Sequence, residues 1–276
     1  MEIILLVEEF FCRLNLETKA ISPIFAKNCD NVKKAIIIGA TSGIGLEVMK
    51  VLTAKGWEVG IAGRRQQLLF EIQRKNLNVV ATECIDVTLP NAVEKLNTLI
   101  GKLGGCDLYF HSSGIGHQNV ELDVEKELAT VETNAMGFTR MVTAMFHYFE
   151  QHPEQEGHIA VISSIAGTKG LGASPAYSST KRFINHYLEC LTQLAHMKGL
   201  KHLTISDIRP GFVRTALLKD NHKYPMQLDA TKVAEEIVKG LEKKRQIITV
   251  DWKYRILVFF WRLIPRWLWV RLRVSS

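Results

Sequence analysis

The chain has 276 residues, 47% of them apolar and 23% charged, with a formal net charge of +7. These proportions exclude wholesale disorder, and the length suffices for one large α/β domain with a sizeable core. The positive excess suits a phosphate-bearing ligand, nucleic acid or an anionic membrane surface; a solvated basic surface is the alternative that needs no partner.

Along the chain, residues 1–31 form a short amphipathic stretch and a loop-like segment with Pro23, Asn28, Asp30 and Asn31, read as an appendage. Their apolar run lacks a basic n-region and is cut by Glu8 and Glu9, which makes a poor signal peptide. No uncharged stretch approaches the roughly 20 residues of a membrane span. From Lys33 onward short apolar runs alternate with helical patterns. Strands are expected at residues 35–38, 58–62, 78–83, 107–110, 158–163, 202–209 and 246–250. Helices are expected at 43–55, from about 65, at 92–103, within 124–150, within 175–198 and at 230–243. Strands apolar on both faces and alternating with helices predict a doubly wound parallel sheet, α/β, with helices on both faces. The expected organisation is an appendage (1–31), one dinucleotide-binding domain (32–250) and a tail (251–276). The cysteines Cys12, Cys29, Cys84, Cys106 and Cys190 are odd in number and contain no C-x-x-C pair. That argues against a disulfide framework and a zinc site, so no metal is expected and the cytoplasm is the natural compartment.

The first strand runs into Gly39-Ala40-Thr41-Ser42-Gly43-Ile44-Gly45. Glycine permits the close backbone approach of a dinucleotide turn, and the helix beyond it offers N–H groups and a positive dipole end to a pyrophosphate. The second strand ends at Gly63-Arg64-Arg65, with no acid for a ribose 2′-hydroxyl and two guanidinium groups suited to a 2′-phosphate. NADP(H) is therefore expected over NAD(H). Asp86-Val87 follows the third strand; it lies either at an adenine edge or, for Asp86, at a helix N-cap.

Tyr177 and Lys181 stand at i and i+4, on one helix face. A nearby ammonium lowers the pKa of a phenol and makes it a usable proton donor for a carbonyl accepting hydride. Ser164, at the end of the preceding strand, can polarise the same oxygen.

These motifs resemble the short-chain dehydrogenase/reductase family. The resemblance spans about 33–250 and rests on Gly39-x3-Gly43-x-Gly45, Ile162-Ser163-Ser164-x-Ala166-Gly167, Tyr177-x3-Lys181 and Arg209-Pro210-Gly211-x-Val213-x-Thr215. It implies a Rossmann fold and an oxidoreductase acting on a carbonyl/hydroxyl pair. Tyr177 would be the acid–base, Lys181 would hold the nicotinamide ribose and tune Tyr177, and Ser164 would orient the substrate. Asn134 would support a proton relay through water, and Thr215 with Pro210-Gly211 would meet the carboxamide. Further cofactor contacts are expected from Thr41, Ser42, Ile44, Ser113, Gly114 and Val213. A homodimer or homotetramer is likewise implied. This chain departs from the family in having Ile38 before the first glycine, where Thr is usual. It also has His111-Ser112-Ser113-Gly114 where the family has Asn-Asn-Ala-Gly, which bears on adenine-side packing. His111 is read as a packed or hydrogen-bonded strand-end residue.

Residues 217–228 follow the Pro-Gly turn, as a variable substrate lid does in the family, and identify no substrate. The tail is apolar and Trp-rich, with Arg255, Arg262, Arg266 and Arg273 on one narrow helical face and Pro265 expected to kink or split it. Such a helix suits a membrane interface, a cap on the core or a subunit contact, and suits nucleic acid less. The expected function is reduction of an apolar or lipid-like ketone by NADPH. The rivals are a non-catalytic NADP(H)-binding sensor or scaffold, and a nucleotide-sugar epimerase, for whose substrate domain there is little room.

Overall fold

The computed structural model describes residues 32–215, 226–272 and 274. The appendage 1–31, most of the variable segment (216–225) and Arg273 lie outside them. Residues Lys33–Ser276 form one compact unit. Its elements are β1 (Lys34–Ile38), α1 (Gly43–Ala54), β2 (Glu58–Gly63), α2 (Gln66–Lys75), β3 (Val79–Cys84), α3 (Ala92–Leu103) and β4 (Leu108–His111). Then come α4 (Val124–Val131), a π-helical segment (Glu132–Gly137), α5 (Phe138–Gln151), β5 (Gly157–Ile162) and a single 3-10 turn (Ile165–Gly167). They are followed by α6 (Pro175–Met197), β6 (Leu203–Arg209), α7 (Ala230–Glu242), β7 (Ile247–Thr249), α8 (Trp252–Leu263) and α9 (Arg266–Trp269).

The seven strands form one parallel sheet in the order β3-β2-β1-β4-β5-β6-β7. The central strands are buried on both sides, while the edge strands β3 and β7 expose Val80 and Ile247, and the alternating side chains feed two cores. Ile36, Ile38, Tyr109, Ile159 and Val161 pack against α3, α5 and α6. Ala35, Ile37, Phe110, Ala160 and Ile208 pack against α1 and α7. The strand order reverses between β1 and β4, and the crevice at the carboxyl ends of the strands there is where ligands of open α/β sheets bind.

Local chemistry sets the helix starts. The carboxylates of Asp123 and Asp229 accept from the first backbone N–H groups of α4 and α7. Pro175 occupies the first turn of α6, where its missing N–H costs nothing. The long helix expected within 124–150 is interrupted by the π-helical segment, which re-aims the side chains around Asn134. The tail splits at Pro265, as its fixed φ and missing donor require. Arg255 and Arg262 therefore fall on α8 and Arg266 on α9, so the single narrow stripe expected of one continuous helix is broken among the described residues.

Candidate active site

The turn after β1 is closed by backbone. Gly39 has φ +87°, and a Cβ there would lie 2.8 Å from Ser113 N. A Cβ on Gly45 would lie 2.4 Å from the Gly39 carbonyl oxygen. Only glycine fits either place, which presses α1, the turn and the Ser112-Ser113 backbone together. Beyond the turn, the Gly43 Cα is close to the Thr215 methyl group, which a Cβ would meet at 3.3 Å. Thr215, far away in sequence, is thus carried to the first helix of the fold.

The two arginines separate here. Arg65 donates from Nη2 to Thr41 Oγ1 at 2.6 Å and to Ser42 Oγ at 2.8 Å, with Nε at 3.1 Å from Thr41 Oγ1. Its guanidinium therefore lies on the hydroxyls of the glycine turn. Arg64 is exposed, and its carbonyl accepts from Cys84 Sγ at 3.6 Å. Asp86 is not the N-cap of α3, a position held by Asn91. Its Oδ1 instead accepts from Thr88 N at 3.0 Å and Thr88 Oγ1 at 2.8 Å, which shapes the turn after β3. Val87 is buried, and its carbonyl accepts from Arg140 Nη1 at 2.6 Å.

The four catalytic candidates come from three stretches of chain. Ser164 follows β5, where its Oγ accepts from Ala166 N at 3.1 Å. On α6, burial pushes the Tyr177 phenol above its ordinary pKa, while a hydrogen bond with Ser164 pulls it the other way. The opposing pull thus comes from Ser164 and not, as expected, from Lys181, and desolvation of the phenol prevails. Lys181 Nζ lies 5.7 Å from the Tyr177 ring centroid and donates to the Ile162 carbonyl at 2.9 Å. Burial brings its pKa down to about 8, against the opposing field of Asp207. Asn134 lies buried in the π-helical segment. Its Oδ1 accepts from Ile115 N at 2.8 Å and its Nδ2 donates to Ile115 O at 2.7 Å and to Thr180 Oγ1 at 3.2 Å. A Cβ on Gly114 would lie 3.2 Å from Asn134 Oδ1 and 3.7 Å from Lys181 Nζ, so this backbone runs between the two side chains.

A family model for short chain dehydrogenases matches residues 33–225. The chain belongs to the short-chain dehydrogenase family. An uncharacterized oxidoreductase of Myxococcus xanthus is 27% identical to it over 241 residues, covering 84% of this chain and 93% of that protein. Its fold is similar to that of a family member from Burkholderia phymatum in complex with NAD (TM-score 0.73, 20% identity, 83% of this chain and 92% of the other). It is equally similar to a short-chain dehydrogenase from Burkholderia cenocepacia in complex with NADP (TM-score 0.73, 18% identity, 89% and 99%). The chain is thus a short-chain dehydrogenase, an oxidoreductase that acts on CH–OH groups with a nicotinamide cofactor.

In this short-chain dehydrogenase, His111 stands where the family has Asn. It is buried at the end of β4, with Nδ1 2.8 Å from the Tyr109 hydroxyl and its ring edge-on to Phe138. Burial and the Lys181 ammonium bring its pKa down to about 3, so it is neutral and packed.

Two groups at the site escaped the sequence reading. Asp207, buried in β6, accepts from Asn185 Nδ2 at 2.9 Å, from Arg209 Nε at 2.7 Å and from the hydroxyl of Ser163, the neighbour of Ser164. A carboxylate two residues on from Ile205 and four from Leu203, on the same strand face, was the available signal. Tyr254 of α8 lies flat on Gly211, where a Cβ would meet its ring at 2.1 Å. The Tyr254 hydroxyl accepts from Phe212 N at 3.1 Å and donates to Met226 O at 3.0 Å, bracing the segment after the Pro-Gly turn. Spacing along the chain carries no trace of that contact. Val213 is buried and makes a single bridge to Leu228.

Proposed function

We propose that this enzyme is an NADP(H)-dependent reductase of an apolar or lipid-like ketone. The observation that carries the reading is the Arg65 guanidinium held on Thr41 and Ser42, beside the turn that would cradle the pyrophosphate. A fork of N–H donors there suits a ribose 2′-phosphate, and neither Arg64 nor Arg65 would repel it. The backbone cradle of Gly39, Gly43, Ile44, Gly45, Ser113 and Gly114 fits a dinucleotide, because a side chain would fill the space at Gly39 and Gly45. Asp86 and Val87 would border the adenine, and Pro210, Gly211, Val213 and Thr215 the carboxamide end.

The cofactor, when bound, supplies hydride to the substrate carbonyl carbon. Tyr177 gives the phenolic proton to the carbonyl oxygen. Ser164 turns its hydroxyl to the same oxygen and fixes the carbonyl plane. Lys181 has one proton committed to Ile162 O and two left for ribose hydroxyls. Asn134 anchors the 114–115 backbone over Lys181 and supports the route by which Tyr177 regains its proton.

Ile165, next to Ser164, is packed with Tyr254, Val258, Phe212 and Leu228, and this apolar surrounding supports an apolar substrate. Exposed Leu128, Val131, Met136 and Phe183 on α4, the π-helical segment and α6 support a homodimer or homotetramer. The enzyme would work in the cytoplasm, with its tail at a membrane surface. Paired titrations of NADPH and NADH, followed by Trp quenching, test the cofactor choice. NADPH should bind more tightly, and Arg65→Ala should erase the difference by weakening NADPH alone by about tenfold or more. Equal binding of both cofactors by the native enzyme sinks it, and turnover confined to small polar sugars sinks the substrate class.

A further inference from the structure

Helix α8 carries two apolar stripes. Tyr254, Val258 and Trp261, at i, i+4 and i+7, face the domain and pack with Ile165, Phe212 and Leu228. Trp252, Ile256, Phe259 and Leu263 repeat at i, i+4, i+7 and i+11, two positions out of phase and so about 200° round the helix. This second stripe faces outward: Trp252 is 62%, Phe259 60% and Leu263 63% exposed. Phe260 extends it on α8 and Trp267 beyond Pro265. An outward stripe of large apolar side chains on a helix already packed by its other face needs a partner of its own.

The charges choose that partner. Residues 252–272 contain Lys253, Arg255, Arg262, Arg266 and Arg271 and no acidic residue. On the helical wheel Lys253 borders the stripe on one side and Arg255 and Arg262 on the other. Arg255 is paired with Glu236 at 3.2 Å, and no acid is within ion-pair distance of Lys253 or Arg262 among the described residues. A second copy docking through the same patch would set cations against cations. Anionic lipid headgroups complement them while the acyl region receives the aromatic stripe.

We infer that the outward stripe of α8 docks on an anionic lipid surface, Phe259 and Leu263 entering the acyl boundary and Lys253 and Arg262 meeting the headgroups. This deepens, and for the substrate rests on, the proposed reduction of a lipid-like ketone. The tail is fastened to both segments bordering the catalytic groups. Lys169 Nζ donates to Ile264 O at 2.7 Å and Trp269 Nε1 to Gly170 O at 2.7 Å, on the loop between Ser164 and Tyr177. Tyr254 holds Phe212 and Met226. The docked enzyme carries its site next to the lipid, so a membrane-resident ketone reaches it without crossing water.

The test is co-sedimentation of the full chain with vesicles of equimolar phosphatidylcholine and phosphatidylglycerol, and with phosphatidylcholine alone. Binding is expected on the mixed vesicles and at least about tenfold weaker on the neutral ones. Phe259→Glu combined with Leu263→Glu should weaken binding by about tenfold or more, and Arg262→Glu by about fivefold. NADPH oxidation with a water-soluble ketone should be unchanged in the double variant, which also reports that it folds. Oxidation with a vesicle-embedded ketone should fall with binding. No binding by the native chain, equal binding to both vesicles or equal binding by the double variant overturns the docking. So does a drop in the native chain's mass by light scattering on introducing the double substitution, which would make the stripe a contact between copies. Docking that follows the expected pattern in an enzyme that reduces no ketone would leave the surface standing and sink the reductase reading alone.

Discussion

The cofactor end and the chemical end share one edge of the sheet, yet they are made of different material. Between Gly39 and Gly45 the walls are backbone: the nearest atoms to the missing Cβ groups are Ser113 N, Ser112 C and the Gly39 carbonyl. Around Tyr177 the functional groups are side chains, delivered by the π-helical segment, the end of β5 and α6, and the backbone of Gly114 and Gly116 only spaces them: a Cβ on Gly116 would lie 2.6 Å from the Tyr177 ring. A backbone-built site is intolerant of any added atom but indifferent to most side chains, which is why His111-Ser112-Ser113 can replace the family's amides without displacing the turn. A side-chain-built site tolerates small shifts in packing but loses its chemistry with a single functional group.

Four substitutions sharpen this contrast. The largest effect is expected from Tyr177→Phe, which removes the proton donor and little volume. Ketone reduction, followed as NADPH oxidation, should fall by about 10²–10⁴-fold with NADPH affinity unchanged. Undiminished turnover in that variant would refute the assigned acid. Gly45→Ala should do the opposite. Its methyl would stand 2.4 Å from the Gly39 carbonyl, so the turn must open at a cost of about 1–3 kcal/mol. Thermal melting and NADPH titration should both register it, with affinity lower by about tenfold.

The third concerns pH. Lys181 titrates near about 8 in the folded protein, well below an ordinary lysine, because burial disfavours its charge. Its ammonium is present below that pH and lost above it, so kcat/KM for NADPH, which reports the free enzyme, should show an alkaline limb near about 8. Asp207 pulls the other way, holding the proton on, so Asp207→Asn should move that limb to lower pH. An unmoved limb would show that Lys181 does not govern it. The same shift affects stability with a definite sign. Between about 8 and the ordinary lysine value the unfolded chain binds the extra proton, so this group's contribution to stability rises with pH there. The smallest effect is expected from Tyr254→Phe. It keeps the ring on Gly211 but removes the hydroxyl that bridges Phe212 and Met226, costing about 1 kcal/mol and raising KM for ketone more than it lowers kcat.

The two ends also differ in how far they could be read along the chain. The glycine turn was legible because its requirement is local: a φ of +87° at Gly39 restricts the residue there whatever surrounds it. The helical repeat put Tyr177 and Lys181 on one face and Ser164 stood out only as a residue after a strand; their roles were read from the resemblance of the joint motifs to the family. Arg64 and Arg65 were legible as a pair but not as individuals. Asp86 left two roles open; the structure gives the N-cap to Asn91 and shows the Asp86 carboxylate shaping the Thr88 turn, and the adenine edge is the role proposed for it.

By itself the sequence determined the alternation of strands and helices, hence the doubly wound sheet, because burial on both faces writes itself into each strand's composition. It also determined the residue types at the glycine turn and the shared face of Tyr177 and Lys181 on α6. Only the tertiary structure decided which arginine reaches the turn, that Asp207 stands behind Ser163 and Lys181, and that Tyr254 roofs Gly211 from 43 residues away. It alone divided the tail's apolar residues into an inward and an outward stripe. Contacts between distant segments depend on how helices cross the sheet, and periodicity records that a face is apolar without recording what will cover it.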